Sequence, residues 1–273
     1  MSNMNLTVQK QYEKYPKLWP KFLIEAAALA FIIYLTRDTV QYSGLNEKGA
    51  AIAKAALLGL LHPSMKMILD TSSVGLGYML LETLAIAFLG TVIGVVLALP
   101  LAFLSSRNIA PKWLNYICLT FISVLRAFPS FMYAIMFVKV VGTGAFAGVL
   151  TMSIGSVGML SKLLIEAIED MNPGIIEALD AAGCSPFEKV RYGIIPQLSS
   201  NIVSTVIYRL DINVKNATVL GIVGAGGIGA SLIHAIGQGN WPNVSAMLLG
   251  LIVMVLLMEY FSTRIRKKLA AGE

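Results

Sequence analysis

An all-helical protein that crosses a membrane about six times is the fold class expected here, on three observations. Of the 273 residues, 56% are hydrophobic and only 13% charged, and the mean hydropathy is +0.74. The apolar residues gather in runs long enough to span hydrocarbon, and one long polar stretch, 177–197, interrupts the apolar C-terminal half. A chain so poor in charge cannot wrap its core in a polar shell. The net charge of +6 does not point to nucleic acid, because no basic stripe is interleaved with aromatics. The positive residues collect instead at the ends of apolar runs, where they set topology. Two cysteines, Cys118 in an apolar run and Cys184 in the polar stretch, supply no disulfide framework.

In chain order, residues 1–21 form a polar tail carrying Lys10, Lys14, Lys17 and Lys21, and 22–72 hold a first crossing and an outer segment. The apolar run 22–36 contains Ala28-Leu29-Ala30, which imitates a signal-peptide cleavage site. The imitation lies inside the run and Glu25 interrupts it, so an uncleaved anchor is expected. Within the mixed residues that follow, AAIAKAALLGLL at 50–61 has the pattern of an amphipathic helix, lying on the outer membrane surface or in a loop free of lipid. Residues 73–263 carry the other crossings. The run 74–104 is longer than the about 20 residues a crossing needs, so its helix is tilted or begins in the interface. Gly90 and Gly94, four apart, let another helix approach, and Arg107 and Lys112 close the run. A third segment, 113–141, is interrupted at Pro129 in RAFPS. The fourth, 144–168, carries Gly144, Gly148, Ser153, Gly155 and Gly158, which places it inside the bundle. The fifth, 198–223, is followed by GAGGIG and a polar stretch to Asn243. The sixth, 244–261, precedes a basic tail at 264–273. With six crossings, the N-terminal tail, the 105–112 turn, the loop 171–197 and the C-terminal tail share one side. Their lysines and arginines mark it as the cytoplasm.

The loop carries its own folding instructions. Asn172 is placed to cap a first helix, Pro173 occupies its first position, and Gly183 supplies a left-handed exit. Ser185 and Glu188 repeat the signal as a capping box, with Pro186 between them, and Pro196 limits this second helix. Two short helices about a glycine corner, held between membrane segments, are suited to pushing on a soluble partner. Glu177, Ala178, Gly183 and Pro196 fall at the spacing of the E-A-A, three residues, Gly, nine residues, I-x-L-P loop, and the segment resembles the coupling loop of bacterial ABC importer permeases. Leu179 departs from the triplet, and Gly193 and Ile195 replace the isoleucine and leucine. An ordinary amphipathic loop is the bland alternative.

Three further constellations carry chemistry. Gly224, Gly226 and Gly229 satisfy G-x-G-x-x-G, with Gly227 between them. No strand and crossover helix surround them and no acid follows at about 20 residues, so a dinucleotide site is rejected. A corner or a flexible gate at the outer end of a membrane helix remains. YRLDINVKNA at 208–217 puts ionisable residues inside a crossing, where they face the bundle interior or water. Asp211 and Lys215 can pair at i, i+4. Arg209, Asn213 and Asn216 then form a positive, hydrogen-bonding stripe that suits a passing anion, unless Arg209 snorkels or pairs with a carboxylate elsewhere. Arg126, with Pro129 and Ser130, sets a cation beside a helix break, for cargo or for an interhelical ion pair. His62 and His234 have no partners at metal spacing, and no P-loop or nucleophile elbow is present.

LSKLLIEAIE at 160–169, EALDAAG at 177–183, YRLDINVKNATVLGIVGAGGIG at 208–229 and the closing LLMEYFSTRIRKKL extend the resemblance. Over roughly 74–268 the chain is similar to the permease subunit of bacterial phosphonate-type ABC importers, a binding-protein-dependent transport family of the cytoplasmic membrane. The resemblance implies a type I importer bundle, a non-catalytic subunit, a homodimeric pore and two cytoplasmic ATPase subunits that bind ATP and Mg. It also implies an extracytoplasmic binding protein delivering phosphonate or a related phosphorus oxyanion. Glu177, Ala178, Ala181, Ala182, Gly183 and Pro196 would then couple to the ATPase, and Arg126, Ser130, Arg209, Asn213 and Lys215 would line the path. The same fold with another cargo, such as methionine, is the alternative within transport. A secondary transporter would need an inverted repeat, which is not seen.

Overall fold

The computed structural model describes residues 19–37 and 47–271. The tail lysines Lys10, Lys14 and Lys17, residues 38–46 and the last two residues lie outside the described residues. The chain divides into two units, residues 1–53 and 54–273.

In the first unit, α1 (Trp19–Thr36) is an 18-residue helix, long and apolar enough to cross a membrane, and its side chains are exposed. The expected anchor is therefore one continuous helix. The amphipathic segment is also helical, α2 (Glu47–Leu60).

The second unit is organised by α4 (Leu76–Ser105), which follows a short α3 (Met65–Leu69). At 30 residues it is about 45 Å long, more than the about 30 Å of hydrocarbon. Its main neighbour is α7 (Ala145–Glu169). Gly90 lies against Met152 and Gly94 against Ser156, so the two backbones approach where side chains are smallest. Between them in sequence, α5 (Lys112–Ala127) and α6 (Ser130–Val141) meet at an 84° bend. The break falls at Phe128-Pro129, as the proline predicts, because Pro129 has no N–H and forces its neighbour into extended backbone.

The segment expected as the fifth crossing is α10 (Ile195–Gly221), which packs on α4, α7 and α12 (Trp241–Ala271). Among the described residues, four helices pass as membrane spans by length and composition, or five if the bent α5–α6 pair is counted as one span. At 27 residues α10 has the length of a sixth, but carries Arg209, Asp211 and Lys215 in its middle.

Two expectations change. The polar stretch before Asn243 contains a ten-residue helix, α11 (Ile228–Gly237), whose first N–H is accepted by the Thr83 hydroxyl at 2.9 Å. The basic residues 264–268 are not a separate tail but the last turns of α12, since arginine and lysine are good helix formers and suit a helix C-terminus.

Candidate functional site

The loop 171–197 folds as its residues dictate up to its second half. Helix α8 (Pro173–Ala181) is capped by Asn172, whose side chain accepts the Gly174 N–H at 3.0 Å. It ends in a Schellman turn: the N–H of Gly183 bonds Asp180 and that of Cys184 bonds Leu179, both at 3.0 Å, with Gly183 at φ +76°. Helix α9 (Pro186–Glu188) opens with the expected capping box. Lys189 pairs with Asp180 across the corner, tying the two arms together.

Pro196 does not end the second helix. Residues 189–194 form a π turn that joins α9 directly to α10, with Pro196 in the first turn of the longer helix. A proline ring crowds the carbonyl four residues back, and the wider π turn relieves that crowding without breaking the rod. The second arm is therefore continuous with α10, which runs on into the bundle.

An apolar cluster seats the loop. Ile194 and Leu198 join Ala102, Ile122, Leu164, Ile165 and Ile168, with Ile175 and Val190 packed against them. The N–H of Arg107 donates to Glu169 at 3.0 Å, and the Ser200 hydroxyl donates to the Leu269 carbonyl at 2.6 Å. The 105–112 turn, the docking loop and the end of α12 thus occupy one end of the bundle, as the charge pattern predicts. Glu177, Ala178, Ala181, Ala182, Gly183 and Pro196 are exposed there. Sequence reasoning missed Phe187 and Tyr192, which are 70% and 64% exposed in the same loop. Exposed aromatics in a polar loop were the available signal.

Glu188 gives the loop a pH response. The Ser185 hydroxyl and N–H each donate to its carboxylate at 2.7 Å, holding it below the ordinary glutamate range. A depressed carboxylate stabilises above its unfolded value and loses that contribution as pH falls through the folded one. Amide protection over 185–189, measured against the intrinsic exchange rate at each pH, should therefore fall on acidification in the wild type. In Glu188→Ala the protection should be low already at neutral pH, and wild-type protection that does not change with pH would refute the coupling.

The polar residues of the bundle separate into two groups. Lys215 Nζ lies 3.0 Å from Asp211 and 3.5 Å from Glu259 of α12, so the expected pair exists and a second acid joins it. Asn213 is fully buried and donates to the Thr91 and Ser156 hydroxyls at 2.8 Å each. Arg209 is 5% exposed. Its Nε donates to Ser156 at 3.0 Å and its Nη1 contacts the Met159 sulfur at 2.9 Å. Among the described residues it has no carboxylate within ion-pair distance, and at 5% exposure it does not reach the surface. Arg126 is exposed beside Gly158, likewise without a carboxylate partner among the described residues, and Ser130 opens α6 near Gly155. Arg126, Ser130 and Arg209 thus converge on the small-residue face of α7, whereas Lys215 is held apart by acids.

The GAGGIG run is a packed corner. Gly224, Gly226 and Gly227 all have positive φ, and the Gly144 N–H bonds the Gly224 carbonyl at 2.8 Å. A Cβ at Gly226 would meet the Ala145 backbone, and Gly229 lies against Gly221. Opening this corner as a gate would break the Gly144–Gly224 and Thr83–Ile228 bonds. Among the described residues, no group of three or more His, Cys, Asp or Glu could hold a metal.

Residues 90–271 match the family of binding-protein-dependent transport system inner membrane components. The chain belongs to that family. It is 39% identical over 189 residues to the phosphite transport system permease protein PtxC of Stutzerimonas stutzeri, covering 69% of each chain. Over 118 residues it is 42% identical to the putative cryptic phosphonate transport system permease protein PhnE2 of Escherichia coli K12, covering 43% of this chain and 97% of the relative. In fold it is similar to a chain of the MetNI methionine ABC transporter solved in inward-facing conformations. That likeness has a TM-score of 0.63 at 24% identity over 71% of this chain and 95% of the other. The family membership makes the chain a membrane permease subunit with the type I importer fold expected from its sequence.

Proposed function

We propose that this chain is the permease of an ATP-driven importer that moves phosphonate, phosphite or a related phosphorus oxyanion into the cytoplasm. The relatives' names supply the cargo class, and one observation in the chain favours an anion over the methionine of the fold neighbour. It is a buried arginine with no carboxylate partner among the described residues, converging with Ser130 and near Arg126 on one helix face. A buried unpaired charge is costly, and transient pairing with cargo offsets that cost.

Two copies of the chain form the pore in this reading, with N- and C-termini in the cytoplasm of a bacterium. Two ATPase subunits bind ATP and Mg and dock on Glu177, Ala178, Ala181, Ala182 and Gly183, and a binding protein presents cargo outside. This subunit holds no cofactor of its own and performs no bond chemistry. ATP-driven closure moves α8 and α9, and the unbroken α9–α10 rod carries that motion to Arg209. Coupling requires ATP and loaded binding protein to favour the same state. Arg126 and Ser130 lie on the path with Arg209. Asn213 and Lys215 act one step removed, by positioning α10. Gly224, Gly226, Gly227 and Gly229 hold the outer corner.

The test is ATP hydrolysis by the assembled complex in lipid, with phosphite, methylphosphonate, phosphate and methionine each delivered by its binding protein. Stimulation by a phosphorus oxyanion supports the assignment, and stimulation by methionine alone refutes it. Gly183→Ala should impair both transport and stimulated hydrolysis, because alanine in the left-handed region costs about 1–2 kcal/mol and shifts the angle between the arms. Normal rates in that variant would show that the corner angle is not part of coupling.

A further inference from the structure

We propose that the exposed face of α12 seats an anionic phospholipid, its phosphate held by Arg264 and Lys267 and its acyl chain laid along the helix into an apolar groove against α4. This goes beyond the importer reading and needs only a chain that sits in a membrane. Two cavities on α12 carry it. An apolar one of about 450 Å³ lies between α4 and α12, lined by Leu76 and Leu80 on one side and by Leu249, Val253 and Leu257 on the other. A second, of about 410 Å³, is bordered by Glu259, Tyr260, Thr263, Arg264 and Lys267. Leu257 and Tyr260 are neighbours one helical turn apart, so the second cavity continues the line of the first.

The spacing fits one leaflet. Arg264 follows Val253 by 11 residues, a rise of about 16 Å, and half of the hydrocarbon thickness is about 15 Å. A lipid whose phosphate meets Arg264 therefore ends its tail beside Val253, inside the apolar groove. Tyr260 and Phe261, both exposed, stand just before the basic residues, at the level where aromatic rings mark the boundary between hydrocarbon and headgroups. The cations at this end of α12 then divide by partner. Arg266 turns to α10: its guanidinium lies over the Tyr208 ring at 5.5 Å, and its Nε donates to the Ser262 carbonyl at 3.4 Å. Arg264, two residues back and so on the opposite face, donates from Nη1 to the Tyr260 hydroxyl at 2.8 Å, which holds its guanidinium at the second cavity.

Among the described residues, neither Arg264 nor Lys267 has a carboxylate within ion-pair distance. Glu259, the acid at the edge of the second cavity, lies 3.5 Å from Lys215 Nζ, so its charge is compensated from α10. Two cations without counter-ions beside an apolar channel are the complement of a phosphodiester that carries a hydrocarbon tail. A free phosphate would use the cations and leave the channel empty.

The experiment reconstitutes the complex with its ATPase subunits in vesicles of equal phosphatidylglycerol and phosphatidylcholine, extracts it in mild detergent and measures the retained lipids by mass spectrometry. None of these readouts depends on which solute is carried. Phosphatidylglycerol should be enriched, and Arg264→Gln should bring the two lipids close to parity, a loss of about tenfold, the worth of one bond to a charged group. Arg266→Gln, which removes the same charge from the face turned to α10, should leave the enrichment near the wild-type value. An equal loss in both variants would assign the enrichment to diffuse charge and overturn the seat, as would equal retention of the two lipids by the wild type. Excess inorganic phosphate, at an ionic strength matched with chloride, should not release the lipid; release would make the cations a site for free anion and overturn the lipid assignment. If Arg264→Gln does not assemble, Lys267→Gln decides: a similar loss supports the seat and unchanged enrichment overturns it. A variant that keeps its phosphatidylglycerol but loses the ATPase subunits would give this face to the partner protein instead.

Discussion

Arg209→Gln is expected to lower oxyanion uptake by about 10- to 100-fold while the complex stays assembled in the membrane. Glutamine keeps a side-chain donor for the Ser156 hydroxyl, so the α7–α10 contact retains one of its bonds, but it removes the positive charge and the Nη2 group packed beside Gly155. No carboxylate among the described residues is stranded by the change, so the usual destabilisation from breaking a buried ion pair does not arise. Uptake and copurification with the ATPase subunits, measured on the same preparations, separate the outcomes. Loss of the protein from the membrane would instead assign Arg209 to folding, and normal uptake would remove it from the path.

The second large effect concerns the two residues at which the docking loop departs from the family's pattern. Leu179 stands in the E-A-A triplet and Gly193 stands where that loop has isoleucine, and these departures meet: Leu179 Cδ1 occupies the space a Cβ on Gly193 would need. Gly193 is buried, so the space cannot be recovered by turning a side chain into solvent. Gly193→Ile alone should overpack the seam between α8 and the π turn by about 1–3 kcal/mol and sharply lower ATPase stimulation. Leu179→Ala alone leaves a void at the same place. Leu179→Ala with Gly193→Ile restores the family's arrangement of volume and should recover most of the coupling. A double variant no better than the worse single one would show that the two positions are not exchanging volume.

The same pair shows where sequence reasoning ran out. Spacing alone located the loop, and Asn172, Gly183, Ser185 and Glu188 performed their expected local roles because caps and left-handed turns depend on residues within one helical turn. Pro196 failed as a stop signal for the opposite reason. Whether a proline ends a helix or is absorbed depends on the preceding turn, and here burial of Gly193 and Ile194 against the bundle end accompanies a π turn that accepts it. Helix α11 went unseen because its ten residues lie between a glycine corner and a polar stretch, and it is held by a hydroxyl 145 positions away in sequence.

The membrane class, the apolar segments, the break at Pro129 and the chemistry of the docking corner were determined by the sequence alone. Each follows from composition, run length or contacts between near neighbours. Which charges are paired within the bundle was decided only by the tertiary structure. Arg209 and Lys215 sit six residues apart on one helix and look alike in sequence, yet Glu259 of α12 helps neutralise the second, while the first is packed against α7 with no carboxylate within ion-pair distance among the described residues. Electrostatic environment is set by what packs opposite, and that information is distributed over helices far apart in the chain.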